Sequence, residues 1–191
     1  DLQNKLLEVI ASELKLEGPA DQRGFNQKLG STKVGDFDYF NATRAGTLGS
    51  VQAVEHWQIL SPVRGGSVGV SDINRQIHEH FRAGFMELAS RQSNRRIPIT
   101  MGPERVVYGD KVINIRNSRR KYYWPKDPVP LEYVANGEIG VVVGQFRGAG
   151  KKFELRNLEV EFSTQKGHKY DFPLWEFSGE DSNPSLELAY A

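Results

Sequence analysis

The sequence predicts a mixed α/β plus β fold, in which an α/β region is followed by a region of antiparallel strands. Before Pro98 the apolar residues recur at intervals near four, which is typical of amphipathic helices. After Pro98 they alternate at intervals near two in short runs, which is typical of strands. A hydrophobic content of 38% over 191 residues is sufficient to form a core.

The chain begins with a predicted helix followed by an irregular stretch. Leucine, valine and isoleucine recur at helical spacing over residues 2–16, and Gly18-Pro19 then ends the pattern. Residues 18–50 are rich in Gly, Asn, Thr and Gln with scattered aromatic residues. This composition predicts a long surface excursion that contains a short strand or helix.

Residues 57–90 predict a strand–loop–helix unit. The apolar run HWQILSP predicts a short strand that Ser-Pro ends, and the glycines of VRGGSVG predict a loop. Ser71-Asp72 then predicts a helix cap. The predicted apolar face of this helix comprises Ile73, Ile77, Phe81, Phe85 and Leu88. A strand, a Gly-rich loop and a helix in this order form an α/β unit.

Residues 101–178 predict a small antiparallel β-barrel. Four period-two runs, each bounded by Gly, Asn or Pro, predict its strands: RVVYGDKVINIRN, GEIGVVVGQF, FELRNLEVEFS and HKYDFPLWEF. Residues 179–191 include a last apolar run, SLELAYA, which predicts another strand and suggests a piece of a longer protein.

Composition excludes several kinds of site. Without cysteine the chain has no disulfide, thiolate metal ligand or catalytic thiol, which agrees with a reducing compartment. No apolar run has the length of a membrane span, and the first residues lack the layout of a signal peptide. We therefore predict a cytoplasmic protein that has no membrane partner.

Charge is distributed unevenly along the chain although the formal net charge is only +1. Residues 95–126 contain nine Lys or Arg against two acids, whereas residues 176–191 contain four acids and no base. A basic segment of this kind predicts either a negatively charged partner or a solvated loop.

The stretch GQFRGAGKKF, residues 144–153, predicts a hairpin turn rather than a phosphate-binding P-loop. A P-loop has the pattern G-x-x-x-x-G-K-[ST], but Gln145 stands at the first glycine and Lys152 follows Lys151. The stretch also lies between two period-two runs, where a turn is expected. It therefore predicts no nucleotide site.

The sequence predicts no metal centre and no catalytic triad. His78 and His80 are two residues apart and point to different faces of a helix, whereas zinc-binding histidines of a helix lie four apart. We therefore interpret His78, Glu79 and His80 as polar surface residues. His56 and His168 belong to no recognisable catalytic pattern.

The segment IRNSRRKYYWPK, residues 115–126, is the candidate nucleic-acid contact. Cations can follow a phosphate backbone while aromatic rings stack on bases, as in proteins that bind single strands. The alternative is a barrel loop whose aromatic residues pack onto the core. The candidate residues in and near this segment are Arg116, Arg119, Arg120, Lys121, Tyr122 and Trp124, with the turn Asn136-Gly137.

Four blocks in this order resemble the C-terminal half of RecD-like superfamily 1 DNA helicases: WQILSPVRGGSVGVSDINRQI, GDKVINIRN, NGEIGVVVG and LELAYA. The resemblance covers about residues 55–191. It implies that residues 1–100 belong to the second RecA-like domain, of the P-loop NTPase type. Residues 101–178 would be an SH3-like barrel inserted into that domain, and residues 179–191 would return to it, cut short before helicase motif V.

The resemblance also implies a function. The intact enzyme would be an ATP-dependent DNA helicase that needs ATP and magnesium and binds single-stranded DNA. Walker A and Walker B motifs are missing here, so the fragment would need the remaining helicase domains for ATPase activity. Arg64 would contact the ATP phosphates; the alternative is that it only closes the loop or pairs with a nearby acid. Gly65, Gly66 and Gly69 would let the backbone turn or approach a ligand or partner domain closely. The alternative is a free-standing nucleic-acid-binding barrel without ATP dependence.

Overall fold

A computed structural model describes residues 2–66, 68–90, 100–147, 155–178 and 182–191. It is a mixed α/β fold with a mostly antiparallel sheet. The helices are α1 Leu2–Glu13, α2 Gln22–Lys28, α3 Val70–Phe81 and α4 Ala83–Ser90. The strands are β1 Thr32–Val34, β2 Phe37–Tyr39, β3 Lys111–Asn114, β4 Ser118–Arg119, β5 Tyr123–Trp124, β6 Tyr133–Val134, β7 Ile139–Arg147, β8 Leu155–Phe162, β9 Lys169–Pro173 and β10 Leu186–Leu188.

The predicted N-terminal helix is present but ends earlier, at Glu13. The irregular stretch 18–50 contains α2, which Asp21 caps by accepting a hydrogen bond from the backbone amide of Gly24. It also contains the two-stranded hairpin β1–β2. The composition predicted a short strand or helix here, but the predicted surface excursion was wrong, because Phe25, Leu29 and Phe40 are buried in the core.

The helix predicted in residues 57–90 is divided in two. The chain leaves α3 at Arg82 and continues as α4. Its predicted apolar face is buried at Ile73, Ile77, Phe81 and Phe85, and Leu88 is partly buried. The predicted cap was wrong, because Gly69 precedes the first turn, whereas Asp72 accepts hydrogen bonds from Arg75 and Gln76 inside the helix.

The strand predicted at HWQILSP was also wrong. Residues 56–62 are not part of a strand. A strand needs repeated backbone hydrogen bonds to a neighbouring strand, and this segment does not form such a ladder. This segment instead contacts the C-terminal residues through a backbone hydrogen bond from the amide of Ile59 to the carbonyl of Tyr190, at 3.2 Å.

Each period-two run after Pro98 contains a strand as predicted, although the first run forms its strand only at Lys111–Asn114 and the last run ends in a 3₁₀ turn, Leu174–Phe177. The sheet has the order β10-β3-β7-β8-β9-β5, and all its described pairings are antiparallel. Burial alternates along β9, where Tyr170 and Phe172 face the core. The first residues of GQFRGAGKKF, 144–147, belong to β7, and its remaining residues, 148–153, lie outside the described part of the chain.

Among the described strands the sheet is open, with β10 and β5 at its two edges. A smaller ladder pairs β4, which follows β3 in the sequence, with β6, which precedes β7. A closed barrel is therefore not formed by the pairings of the described residues. Side chains connect the chain segments near the two edges instead, through Arg120, Glu176 and Ser185.

The helices and the sheet share one hydrophobic core. Phe25 of α2 stacks on Phe81 of α3 with ring centroids 4.4 Å apart, and its ring also contacts Trp57 and Tyr190. The C-terminal residues that follow β10 are therefore packed among the helices. Among the described residues, no helix combines the length and the apolar character that a membrane crossing requires.

Candidate functional site

Most of the basic segment 115–126 lies on the surface. The side chains of Arg116, Arg119 and Lys121 are exposed, and Tyr122 is 69% exposed. Arg119 lies on β4, where its neighbour across the ladder is Tyr133 of β6. The structure thus presents three of the predicted cations together with an aromatic side chain from another strand.

Arg120 is a correction to the predicted contact residues, because it is only 8% exposed. Its guanidinium donates to both carboxylate oxygens of Glu176, at 2.5 and 3.1 Å, and to the hydroxyl of Ser185. It also lies 3.9 Å from the ring centroid of Phe172. Arg120 therefore binds the chain near β5 to the chain near β10, and its charge is not available to a nucleic acid.

The aromatic residues of this segment were predicted either to stack on bases or to pack onto the core, and the two neighbours on β5 differ in this respect. Tyr123 is 9% exposed and packs against Tyr170, so it belongs to the core. Trp124 is 63% exposed. Trp124 is therefore free of the core and sterically able to stack on a base.

The turn Asn136-Gly137 lies beside the start of the basic segment. The amide of Asn136 donates to the side-chain oxygen of Asn117 at 2.8 Å, and the amide of Gly137 donates to the carbonyl of Asn114 at 2.7 Å. Gly137 has a φ of +92°, as expected for a tight turn. The structure therefore brings this predicted turn next to Arg116.

Arg64 lies apart from this surface, in the loop before α3. Its guanidinium donates to Glu187 of β10 at 2.9 Å, and its side chain is 77% exposed. Gly66 has a φ of +82°, which a turn at this point requires. A Cβ at Gly69 would lie 2.5 Å from the carbonyl oxygens of Arg64 and Gly65, so this glycine lets the loop close onto the helix.

A cleft of about 450 Å³ opens beside this loop. Its lining includes Gly65, Gly66, Asp72, Arg75, Glu104 and Arg105. Burial raises the pKa of Glu104, and the nearby charge of Glu187 acts in the same direction, although the amide of Leu188 donates to this carboxylate and opposes the shift. The cleft thus contains both acidic and basic side chains and is not a purely basic anion-binding site.

His78 lines the inner side of this cleft. The prediction that His78 is a polar surface residue was wrong, because it is only 2% exposed. Its Nε2 lies 2.8 Å from Asp110, and the other carboxylate oxygen of Asp110 accepts from Arg82 and from the hydroxyl of Tyr190, both at 3.0 Å. Burial alone would raise the pKa of Asp110, but His78 and Arg82 hold it below its usual value. Glu79 and His80 lie nearer the surface, as predicted.

The spacing of three polar residues in the sequence could have predicted this buried cluster, although the apolar residues of the same helix dominate its pattern. Asn74, His78 and Arg82 are spaced by four, so they form a stripe along one face beside the apolar residues of α3. All three are buried. By contrast, Tyr133 could not be found from periodicity, because β6 has only two residues.

Comparisons of the chain with protein-family models, with curated proteins and with solved structures found no match. Within the described ranges, no group of three or more His, Asp or Glu side chains is arranged to hold a metal ion. Arg95 and Arg96 of the basic region lie outside these ranges. Two features of the described chain remain as candidate sites: the basic surface around β4–β6 and the loop at Arg64.

Proposed function

We propose that this chain is part of an ATP-dependent DNA helicase of the RecD-like superfamily 1 type. In this proposal it combines part of the second RecA-like domain with an inserted SH3-like barrel. It binds single-stranded DNA and supplies one side of the ATP site, and it has no ATPase activity alone. Phosphate and magnesium binding would come from the remaining helicase domains.

The observation that carries the proposal is the return of residues 186–191 to the loop at Arg64 and to α3. Asn74 of α3 donates to the carbonyl of Leu188 at 2.8 Å and accepts from the amide of Ala191 at 2.8 Å. Arg64 pairs with Glu187, as described above. Two segments more than a hundred residues apart in sequence thus lie side by side, as expected if the intervening β region is an insertion.

Arg64 suits a role at a shared ATP site. Its ion pair with Glu187 is exposed, and exposed pairs contribute only about 0–1 kcal/mol to stability. The guanidinium can therefore exchange this carboxylate for a phosphate oxygen at little cost. Arginine suits such a contact because its planar fork binds phosphate through two hydrogen bonds.

The exposed cations and aromatic rings of residues 116–124 support the DNA-binding part of the proposal. Arg116, Arg119 and Lys121 can neutralise phosphates, and the rings of Tyr122 and Trp124 are exposed for stacking. The free-standing binding barrel would use the same surface. It would not need Arg64 or the cleft beside it.

Fluorescence anisotropy with a labelled single-stranded oligonucleotide tests the DNA-binding part. The chain should bind weakly, and its affinity should fall with salt by a log–log slope of about 0.7 per phosphate neutralised. Absence of binding at low salt would refute the proposal. In the intact protein, DNA-stimulated ATP hydrolysis would favour the helicase, and DNA binding without hydrolysis would favour the free-standing barrel.

A further inference from the structure

The ladder β4–β6 places an arginine directly opposite a tyrosine on the surface. Ser118 pairs with Val134 and Arg119 pairs with Tyr133. Because side chains alternate across a strand and Val134 is fully buried, Arg119 and Tyr133 project from the opposite, outward face. Directly opposed residues of an antiparallel pair have Cβ atoms about 5 Å apart. The two side chains thus leave the ladder at neighbouring positions on the same face.

Tyr133 is accessible although it belongs to a strand. It is 43% exposed, and the side chain of Arg119 is also exposed. An aromatic ring left in water at the centre of a basic surface is available to a flat apolar ligand, and a nucleic-acid base has such a face. The neighbouring Leu131 is 70% exposed and extends the apolar area.

The backbone that carries this pair is held in place. The amide of Arg120 donates to the carbonyl of Glu132 at 2.8 Å, which continues the ladder beyond β4. Gln165 donates to the carbonyl of Tyr133 at 3.0 Å, and the hydroxyl of Tyr170 donates to the carbonyl of Leu131 at 2.8 Å. Because these hydrogen bonds hold the backbone of the ladder, the outward pair should lose little conformational entropy when a ligand binds.

Cations lie on both sides of the pair along the chain. Arg116, beside the turn Asn136-Gly137, precedes it, and Lys121 follows it; both are exposed. Five residues of extended chain span about 16 Å. The exposed acid of this ladder is Glu132, which lies next to Tyr133 in sequence. Cations therefore outnumber acids along the outward face.

We infer that Tyr133 is a base-stacking residue of the single-strand site, with Arg119 beside it on the same face and Arg116 and Lys121 contacting the flanking phosphates. The inference rests on the proposed DNA binding and deepens it. It assigns the ligand to an unpaired nucleic-acid strand, because a paired base does not offer its face to a ring on a flat ladder. It also places the centre of the proposed single-strand site at the ladder β4–β6 and not at Trp124 on the edge strand β5.

The test compares two labelled probes of equal length, oligothymidine and a strand of abasic sugar-phosphate units, in anisotropy titrations with the full chain. Tyr133→Ala should weaken oligothymidine binding about 5- to 100-fold, the range for loss of one stacked base, without changing the salt slope. It should leave binding of the abasic strand unchanged. Tyr133→Phe should bind both probes as the parent chain does, because the ring is kept.

Controls separate this inference from the proposed function. Trp175→Ala, which removes a 74% exposed ring from the turn after β9, is the matched control and should bind both probes normally. Arg119→Ala should weaken both probes and flatten the salt slope by about 0.7. If the parent chain binds oligothymidine and a folded Tyr133→Ala binds it equally, the inference is overturned and the proposed function stands. If the parent chain binds neither probe, both are overturned.

Discussion

Arg120 and Glu176 form a bidentate ion pair, with Nη1 2.5 Å from Oε1 and Nη2 3.1 Å from Oε2. The pair joins the residue that directly follows β4 to the 3₁₀ turn that follows β9. Both side chains are largely buried, at 9% and 13% exposure. Ser185, directly before β10, hydrogen-bonds to both partners. Together with Ser185, the pair therefore links the chain between β4 and β5 to the chain between β9 and β10, in a sheet that the described backbone pairings leave open.

Arg120→Ala should destabilise the fold because it leaves the Glu176 carboxylate buried without its cation. We expect the free energy of unfolding to fall by about 3–5 kcal/mol, the range for breaking a buried pair from one side. Arg119→Ala, at the exposed neighbouring position, is the matched control and should change it by no more than about 0.5 kcal/mol. Urea unfolding followed by circular dichroism measures both. Equal stability of the two variants would show that the pair does not hold the sheet edges.

Trp124→Ala should leave stability almost unchanged because the ring is exposed. The expected change is within about 0.5 kcal/mol. Tyr123→Ala, the next residue on β5, removes a buried ring and should cost about 3 kcal/mol or more. Thermal melts of the two variants compare them directly. A collapsed melt for Trp124→Ala would place the indole in the core after all.

Arg64→Ala separates folding from catalysis in the intact helicase that we propose. The melting temperature should stay the same, because the pair with Glu187 is exposed. The DNA-stimulated kcat should fall by about 10³-fold, the lower end of the range for loss of an arginine finger. Arg23→Ala, an exposed arginine of α2, is the control and should keep the parent kcat. An unchanged kcat for Arg64→Ala would leave this arginine as a loop residue.

Lys111 should make the stability of the chain depend on alkaline pH. Its ammonium is buried, donating to the carbonyl of Trp57 at 2.7 Å and to Gln58 at 3.0 Å, and burial lowers its pKa from 10.5 to about 8. Because the unfolded chain holds this proton more tightly, the native state gains stability as the pH rises from about 8 towards 10.5. The slope should approach about 1.4 kcal/mol per pH unit.

Urea unfolding between pH 7.5 and 9.5 measures this slope. The upper limit avoids the tyrosines, since burial raises the pKa of Tyr170 and of Tyr190, and their unfolded forms ionise above about pH 10. Lys111→Met removes the titrating group at similar length and should flatten the profile. A parent profile as flat as that of the methionine variant would contradict the prediction.

The sequence by itself determined many of the local elements of this protein. The apolar spacing of Ile73, Ile77, Phe81 and Phe85 identified the buried face of α3 and α4, and an apolar period near two identified β7, β8 and β9. The turn at Asn136-Gly137 and the mixed α/β class followed in the same way. These features depend on residues a few positions apart, whose side chains share a face because of the helix or strand period.

The tertiary structure alone decided which polar residues are structural and which are free to bind. Arg119 and Arg120 are adjacent and chemically alike, but only Arg120 meets an acid 56 residues away. His78 is buried because Asp110, 32 residues away, accepts its hydrogen bond, and Tyr133 joins the basic surface because β6 pairs with β4. A charged group can be buried only where a partner compensates its lost hydration, and local periodicity contains no information about a partner that distant in sequence.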